Sequence, residues 1–273
     1  MINLLLAESE RLWARRMTRY FPAILAALMV VGVVIAYFVI DNDEGNTPDF
    51  VTDVAGGVGA TSLLGPVASL LPIMAFVIGA SYIGADLKTG MVEQILTWEP
   101  RRGRFLLARL ASSAVGTAVL AAVLAVFLVA LLYGLTAAVG TTDGTTGELW
   151  GNAAVSVLRT GLAAALFSAI GLGITVLVNN SIGSIVGFVI YWFIGENFLI
   201  SAFLPKVAVY LPITNATSFA SGADVERIDG SVFGDFELIE VHSYLVAGLI
   251  LVAWTLLAVV AGAVAFRRRD ISS

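Results

Sequence analysis

Residues 84–104 read GADLKTGMVEQILTWEPRRGR, and their reading decides the fold. A polar, basic connection of this kind lies between two long apolar runs, about 63–85 before it and 105–133 after it. A bilayer span needs roughly 20 apolar residues, and both flanking runs reach that length. The connection is therefore a turn made outside the hydrocarbon. Thr89 or Gly90 is expected to open a short helix within it. Met91, Ile95, Leu96 and Trp98 give that helix an apolar side, Pro100 stops it, and Gly103 turns the chain into the next span.

Working outward, four further runs have the same character: about 21–40, 152–178, 182–204 and 244–266. Hydrophobic residues make up 59% of the 273, and charged residues only 13%. In water such a chain would expose large apolar patches and aggregate. The composition therefore predicts an all-α polytopic membrane protein with six spans in one transmembrane domain, 1–273. The first run continues past the apolar length of a cleavable signal and is expected to stay as a span.

Charge sets the orientation. Twelve of the fifteen Lys and Arg residues flank the runs on one side: Arg11, Arg15, Arg16, Arg19, Lys88, Arg101, Arg102, Arg104, Arg109 and Arg267 to Arg269. The acidic segments 41–62 and 223–242 fall on the other. Lys and Arg collect on the cytoplasmic side, so both termini and the 86–104 loop are predicted to be cytoplasmic. Ahead of the first span, Leu5, Leu6, Leu12, Trp13 and Met17 share one helical face, with Glu8, Arg11 and Arg15 on the other. That pattern predicts an interfacial amphipathic helix over 1–20.

The remaining connections differ. Asn179–Asn180–Ser181 predicts a tight turn. Residues 205–222 are apolar yet broken by Pro212 and Asn215, which predicts a short re-entrant helical pair. Residues 223–242 read as an acidic, solvated segment. Small residues at Gly183 and Gly187, at Gly161, Ala165, Ser168 and Ala169, and along Ala114–Ala125 predict close helix packing.

Chemistry-bearing residues are few. The chain has no Cys and one His, His242, which excludes disulfides and thiolate sites and cannot alone hold a metal. No G-x-x-x-x-G-K-[ST] run is present, so the usual phosphate loop is lacking. Arg159 and Glu196 are the two charges well inside apolar runs, at similar depth. They are expected either to form a structural ion pair, with Asn197 adding a hydrogen bond, or to line a path. Tyr37, Phe76, Tyr82, Phe188, Tyr191 and Trp192 line such a path or simply pack. From physics alone the 86–104 loop either holds topology and anionic lipid or docks a soluble partner.

The stretch GADLKTGMVEQILTWEPRRGRFLLAR (84–109) and the terminal FRRRDI (266–271) resemble ABC-2 type permeases, the membrane subunits of ATP-binding-cassette exporters. The six-span plan, the interfacial helix and the re-entrant segment fit the same family. The resemblance implies a cytoplasmic coupling helix seated in a separate ATPase subunit, with Met91, Glu93, Leu96, Trp98, Glu99, Arg101 and Arg102 as contacts. It implies no cofactor in this chain, ATP and Mg on the partner, a second copy or paralogue, and no nucleic-acid partner. The implied setting is the bacterial plasma membrane. The implied work is export of a hydrophobic or amphipathic drug, lipid or peptide by alternating access, the chain itself being non-catalytic. The alternative is an ion-coupled secondary carrier or channel. That class calls for several intramembrane carboxylates, and only Glu196 answers to it. An intramembrane hydrolase is disfavoured, since His242 lies at an edge and every Asp lies outside the runs.

Overall fold

A computed structural model describes residues 2–41, 70–92, 94, 101–139, 142, 146–200, 203–229 and 237–268. The chain folds as α1 (Ile2–Ala14), α2 (Arg16–Asp41), α3 (Leu70–Lys88), α4 (Arg102–Val139) and α5 (Gly147–Val178). It continues through α6 (Ser181–Ile190), a π-helical segment (Tyr191–Ile200), α7 (Pro205–Ala208) and α8 (Pro212–Ser221). Strands β1 (Val225–Asp229) and β2 (Glu237–His242) and helix α9 (Tyr244–Arg268) complete it. Among the described residues, five helices, α2, α3, α4, α5 and α9, are long and apolar enough to cross a membrane. The molecule is a helical, polytopic membrane protein.

Helix α5 is the axis of the bundle and packs against α3, α4 and α9. Its contacts with α3 and α9 are backbone to backbone. A Cβ placed on Gly171 would run into the carbonyl of Phe76, and one on Gly173 into that of Ala258. The absent side chains let the helix axes approach, which substitutes packing for the hydrophobic effect that lipid does not supply. Side chains on α2, α4 and α9 such as Ile35, Val123 and Leu257 stay exposed on the bundle's perimeter. In a membrane chain that surface is solvated by acyl chains.

The 179–181 turn forms as expected, for a local reason. Asn179 adopts the left-handed conformation (φ 60°) and closes α5 with its N–H on the Thr175 carbonyl. Asn can take that conformation at little cost. The side chain of Asn180 then accepts from the N–H groups of Ile182 and Gly183 and starts α6.

Two elements differ from the sequence reading. The fifth apolar run is not one regular helix, because it changes winding from α to π at Tyr191. Within it Tyr191 Oη donates to Glu196 Oε2 at 2.9 Å, a contact between residues five apart that suits i→i+5 winding. The 223–242 segment holds a two-stranded antiparallel pair, with Glu226 opposite Glu240 and Arg227 opposite Ile239. Its acidic composition had masked the strands. Thr89 and Gly90 close α3, Thr89 bonding back to the Ala85 carbonyl and Gly90 taking φ 68°, and helical winding resumes at Met91 and Val92, where a short helix was expected to open. The 205–222 segment does form a short helical pair, α7 and α8.

Candidate functional site

The end of the bundle that carries α1 holds a buried cluster of charge. Tyr82 and Asp86 stand one turn apart near the end of α3 and so share a face. Arg109 lies two turns into α4, with Phe105 one turn before it on the same face. Glu8 comes from α1, and Arg15 from the bend between α1 and α2. Arg109 is fully enclosed, and Glu8 and Asp86 are nearly so.

Each charge meets an opposite one. Arg15 Nη2 donates to Asp86 Oδ1 at 2.8 Å, and Arg109 Nη2 pairs with Asp86 Oδ2. Arg109 Nε lies 3.1 Å from Glu8 Oε2. The Arg109 Nε and Nη2 contacts lack hydrogen-bond alignment, so the attraction there is chiefly Coulombic. The Tyr82 hydroxyl lies 2.6 Å from Glu8 Oε2 and 2.7 Å from the Glu8 carbonyl. The guanidinium groups of Arg15 and Arg109 each lie 5.0 Å from the centre of the Tyr82 ring, and Arg109 lies 4.8 Å from that of Phe105. Arg11, at the rim, pairs with Glu8 Oε1 at 3.1 Å. Desolvating these ions is costly, and their mutual attraction offsets part of that cost.

The mechanical consequence lies in connectivity. Asp86 stands at the head of the 86–104 loop and Arg109 follows its end, so one ion pair ties its two stems together. The same two residues are bound to α1 through Glu8 and Arg15. Helices α1, α3 and α4 are therefore joined through one cluster at the stems of the loop.

This corrects the reading of α1. Glu8 and Arg15, expected on a solvent face, turn into the bundle, while Leu6 and Trp13 remain exposed and Leu12 is buried against Gly116. The polar face is therefore satisfied by protein, and part of the apolar face is left for lipid. Arg109 was legible only as a topology-setting charge. The missed signal was its position, one turn inside an apolar run, where a cation requires a partner.

Of the expected docking residues, Met91 and Arg101 are exposed. Arg102 Nη1 reaches the Arg267 carbonyl at 3.5 Å, which sets the α9 terminus beside the start of α4. Glu93, Leu96, Trp98 and Glu99 lie outside the described residues.

Arg159 and Glu196 are not joined to each other. Glu196 Oε1 accepts from the Thr214 N–H at 2.7 Å and from its hydroxyl at 3.0 Å. Oε2 accepts from Tyr191 and, at 3.4 Å, from the Ile213 N–H. The free N–H groups at the start of α8 take the carboxylate in place of the guanidinium. Arg159 instead lies over the Tyr244 ring, 4.3 Å from its centre, beside Gly222. The Asn197 side chain lies outside the described residues.

Several of the expected path aromatics pack together. Phe188 stacks on Phe76 at 3.8 Å and meets the edge of Phe167 at 6.1 Å, and Tyr191 follows it at 6.4 Å. They join α3, α5 and the α6–π junction. At the hairpin end, Asn215 Nδ2 donates to the carbonyls of Val209 and Leu211, so its Oδ1 is left to accept from His242 Nε2 at 2.9 Å. His242 Nε2 thereby carries the proton of that bond, and its buried Nδ1 has no hydrogen-bond partner among the described residues. Burial holds its pKa below the ordinary histidine range, with the charge of Asp224 opposing in smaller measure.

The chain matches the family described as a protein of unknown function (DUF2705) over residues 23–272 and belongs to it. No curated protein matches the chain.

Proposed function

We propose that this chain is the membrane-spanning subunit of an ATP-driven exporter of the ABC-2 type, worked from the cytosol through its 86–104 loop. The observation that carries the reading is the buried Glu8–Arg15–Asp86–Arg109 cluster at the root of that loop. A loop that merely connected two spans would not need both stems pinned to a third helix by three buried charges and the half-buried Arg15. A loop that receives force does, because a slack attachment would dissipate the push locally.

In this reading Ser181–Ile200 is the fifth of six spans, since α6 and the π segment together supply about the 20 residues a bilayer requires. Six crossings put both termini and the basic residues on the cytoplasmic side, in accord with the Lys and Arg distribution. α7 and α8 then form the re-entrant pair at the outer face. ATP and Mg are bound by a separate ATPase subunit, and Met91, Glu93, Leu96, Trp98, Glu99, Arg101 and Arg102 are the residues that meet it. A second copy or paralogue completes the path. Apolar helix faces suit a hydrophobic or amphipathic cargo, carried by alternating access.

The test is co-purification from membranes with an ATP-binding-cassette subunit encoded beside this chain. Wild type is expected to retain it, and a variant with Met91–Trp98 replaced by Gly and Ser to lose it. Substrate movement on an ion gradient, with no ATPase present, would instead establish a carrier.

A further inference from the structure

Helix α8 begins without a cap of its own. Leu211 stands at its N-cap position and has no side chain able to accept, so the first N–H groups need an outside partner. Glu196, in the π segment, supplies it, accepting from the N–H groups of Ile213 and Thr214 and from the Thr214 hydroxyl. The opposite end of α8 is fastened differently. The Ser221 carbonyl accepts from Ser156 Oγ on α5 at 3.4 Å, and Phe219 lies against Gly248 of α9. Gly222 follows with φ 80°, a conformation open to glycine. Helix α8 is thus held by packing where it ends, while its opening N–H groups are capped by the Glu196 carboxylate, with Asn215 bonded to His242 in the turn that follows.

That carboxylate is positioned by winding. Tyr191 and Glu196 are bonded across five residues in the π segment. In an α-helix of 3.6 residues per turn the same two positions would stand roughly 140° apart around the axis. The geometry points to a latch: Glu196 caps α8 while Tyr191–Ile200 is wound as a π-helix, and rewinding to α turns the carboxylate away and frees the Pro205–Ser221 pair to swing as a lid about Gly222. The inference stands on the hairpin-end geometry and does not rest on the transport reading.

The chain has no native cysteine, so single reporters are clean. The full-length protein in lipid nanodiscs would carry Ala216→Cys, fully buried in α8, or Ser113→Cys, fully buried in the bundle as a control. Labelling by a membrane-impermeant maleimide is then timed. With Glu196→Gln the Ala216→Cys site is expected to label roughly tenfold faster or more, since a charge-assisted cap is lost, while the Ser113→Cys site stays slow. Tyr191→Phe and Thr214→Val each remove one donor, keep the carboxylate, and should give intermediate accelerations. If Glu196→Gln loosens the whole bundle, these two decide. Acceleration at Ala216→Cys with a quiet Ser113→Cys supports the latch. Labelling of the lid site within about twofold of wild type in both overturns it.

Discussion

Replacing Arg109 by Met tests the cluster most directly. The change removes the one cation that touches both Glu8 and Asp86, whose side chains are 2% and 8% exposed. Arg15 remains on Asp86, but Glu8 keeps only the Tyr82 hydroxyl and Arg11, which is 45% exposed and well screened. Breaking a buried pair by deleting one partner costs about 3–5 kcal/mol, because the remaining charge is left under-compensated away from water. At roughly 2 °C per kcal/mol for a chain of this size, the melting temperature should fall by about 6–10 °C. The assay is intrinsic Trp fluorescence in nanodiscs at one fixed scan rate, since membrane proteins commonly unfold irreversibly. Two companions make the argument specific. Arg11→Met removes a rim charge and should shift the melt little. The triple variant Glu8→Gln, Asp86→Asn, Arg109→Met leaves no bare carboxylate in the cluster and should recover most of the loss, as apolar or neutral replacements of buried ion groups often do. A single variant that melts with wild type, or a triple variant that melts no higher than the single one, would refute the claim that these charges are mutually dependent.

Three other expectations concern packing and protonation. Gly171→Val forces α3 and α5 apart at the Phe76 carbonyl; it should destabilise by about 1–3 kcal/mol or more, and a melt equal to wild type would contradict the close approach. Phe188→Ala opens a void beside Phe76 and Phe167; the loss should be about 3–5 kcal/mol, with Phe188→Leu distinctly milder. His242 has a folded pKa below the unfolded 6.5, so the folded state binds fewer protons than the unfolded one. Its contribution is complete above that value and is lost as pH falls through the folded pKa. The melting temperature of wild type should therefore drop more between about pH 7 and about pH 5 than that of His242→Gln, and parallel pH profiles would show that His242 carries no such linkage.

Much of the architecture was legible because it is set locally. Apolar runs of bilayer length, the Asn179–Ser181 turn and the helical pair over 205–222 each follow from residues adjacent in the chain. The β1–β2 pair was less visible, since Glu237, Glu240 and Asp229 made strands resemble a solvated loop. The π winding at Tyr191 carried no period that would distinguish it from an ordinary apolar helix.

The candidate sites divide along the same line. Charge segregation along the chain marked the α1 end and the 86–104 loop as the place of interest, since Lys and Arg near apolar runs report on their neighbours in sequence. Which charges meet was decided by the fold. Arg159 and Glu196 seemed partners by depth alone, yet the N–H groups that open α8 are better placed for the carboxylate and Tyr244 for the guanidinium. Glu8, Asp86 and Arg109 come from three separate helices, and nothing in their spacing foretold the contact. Sequence thus determined what must avoid lipid. Tertiary structure determined how each such group does so, because the choice of partner depends on helix rotation and packing distance.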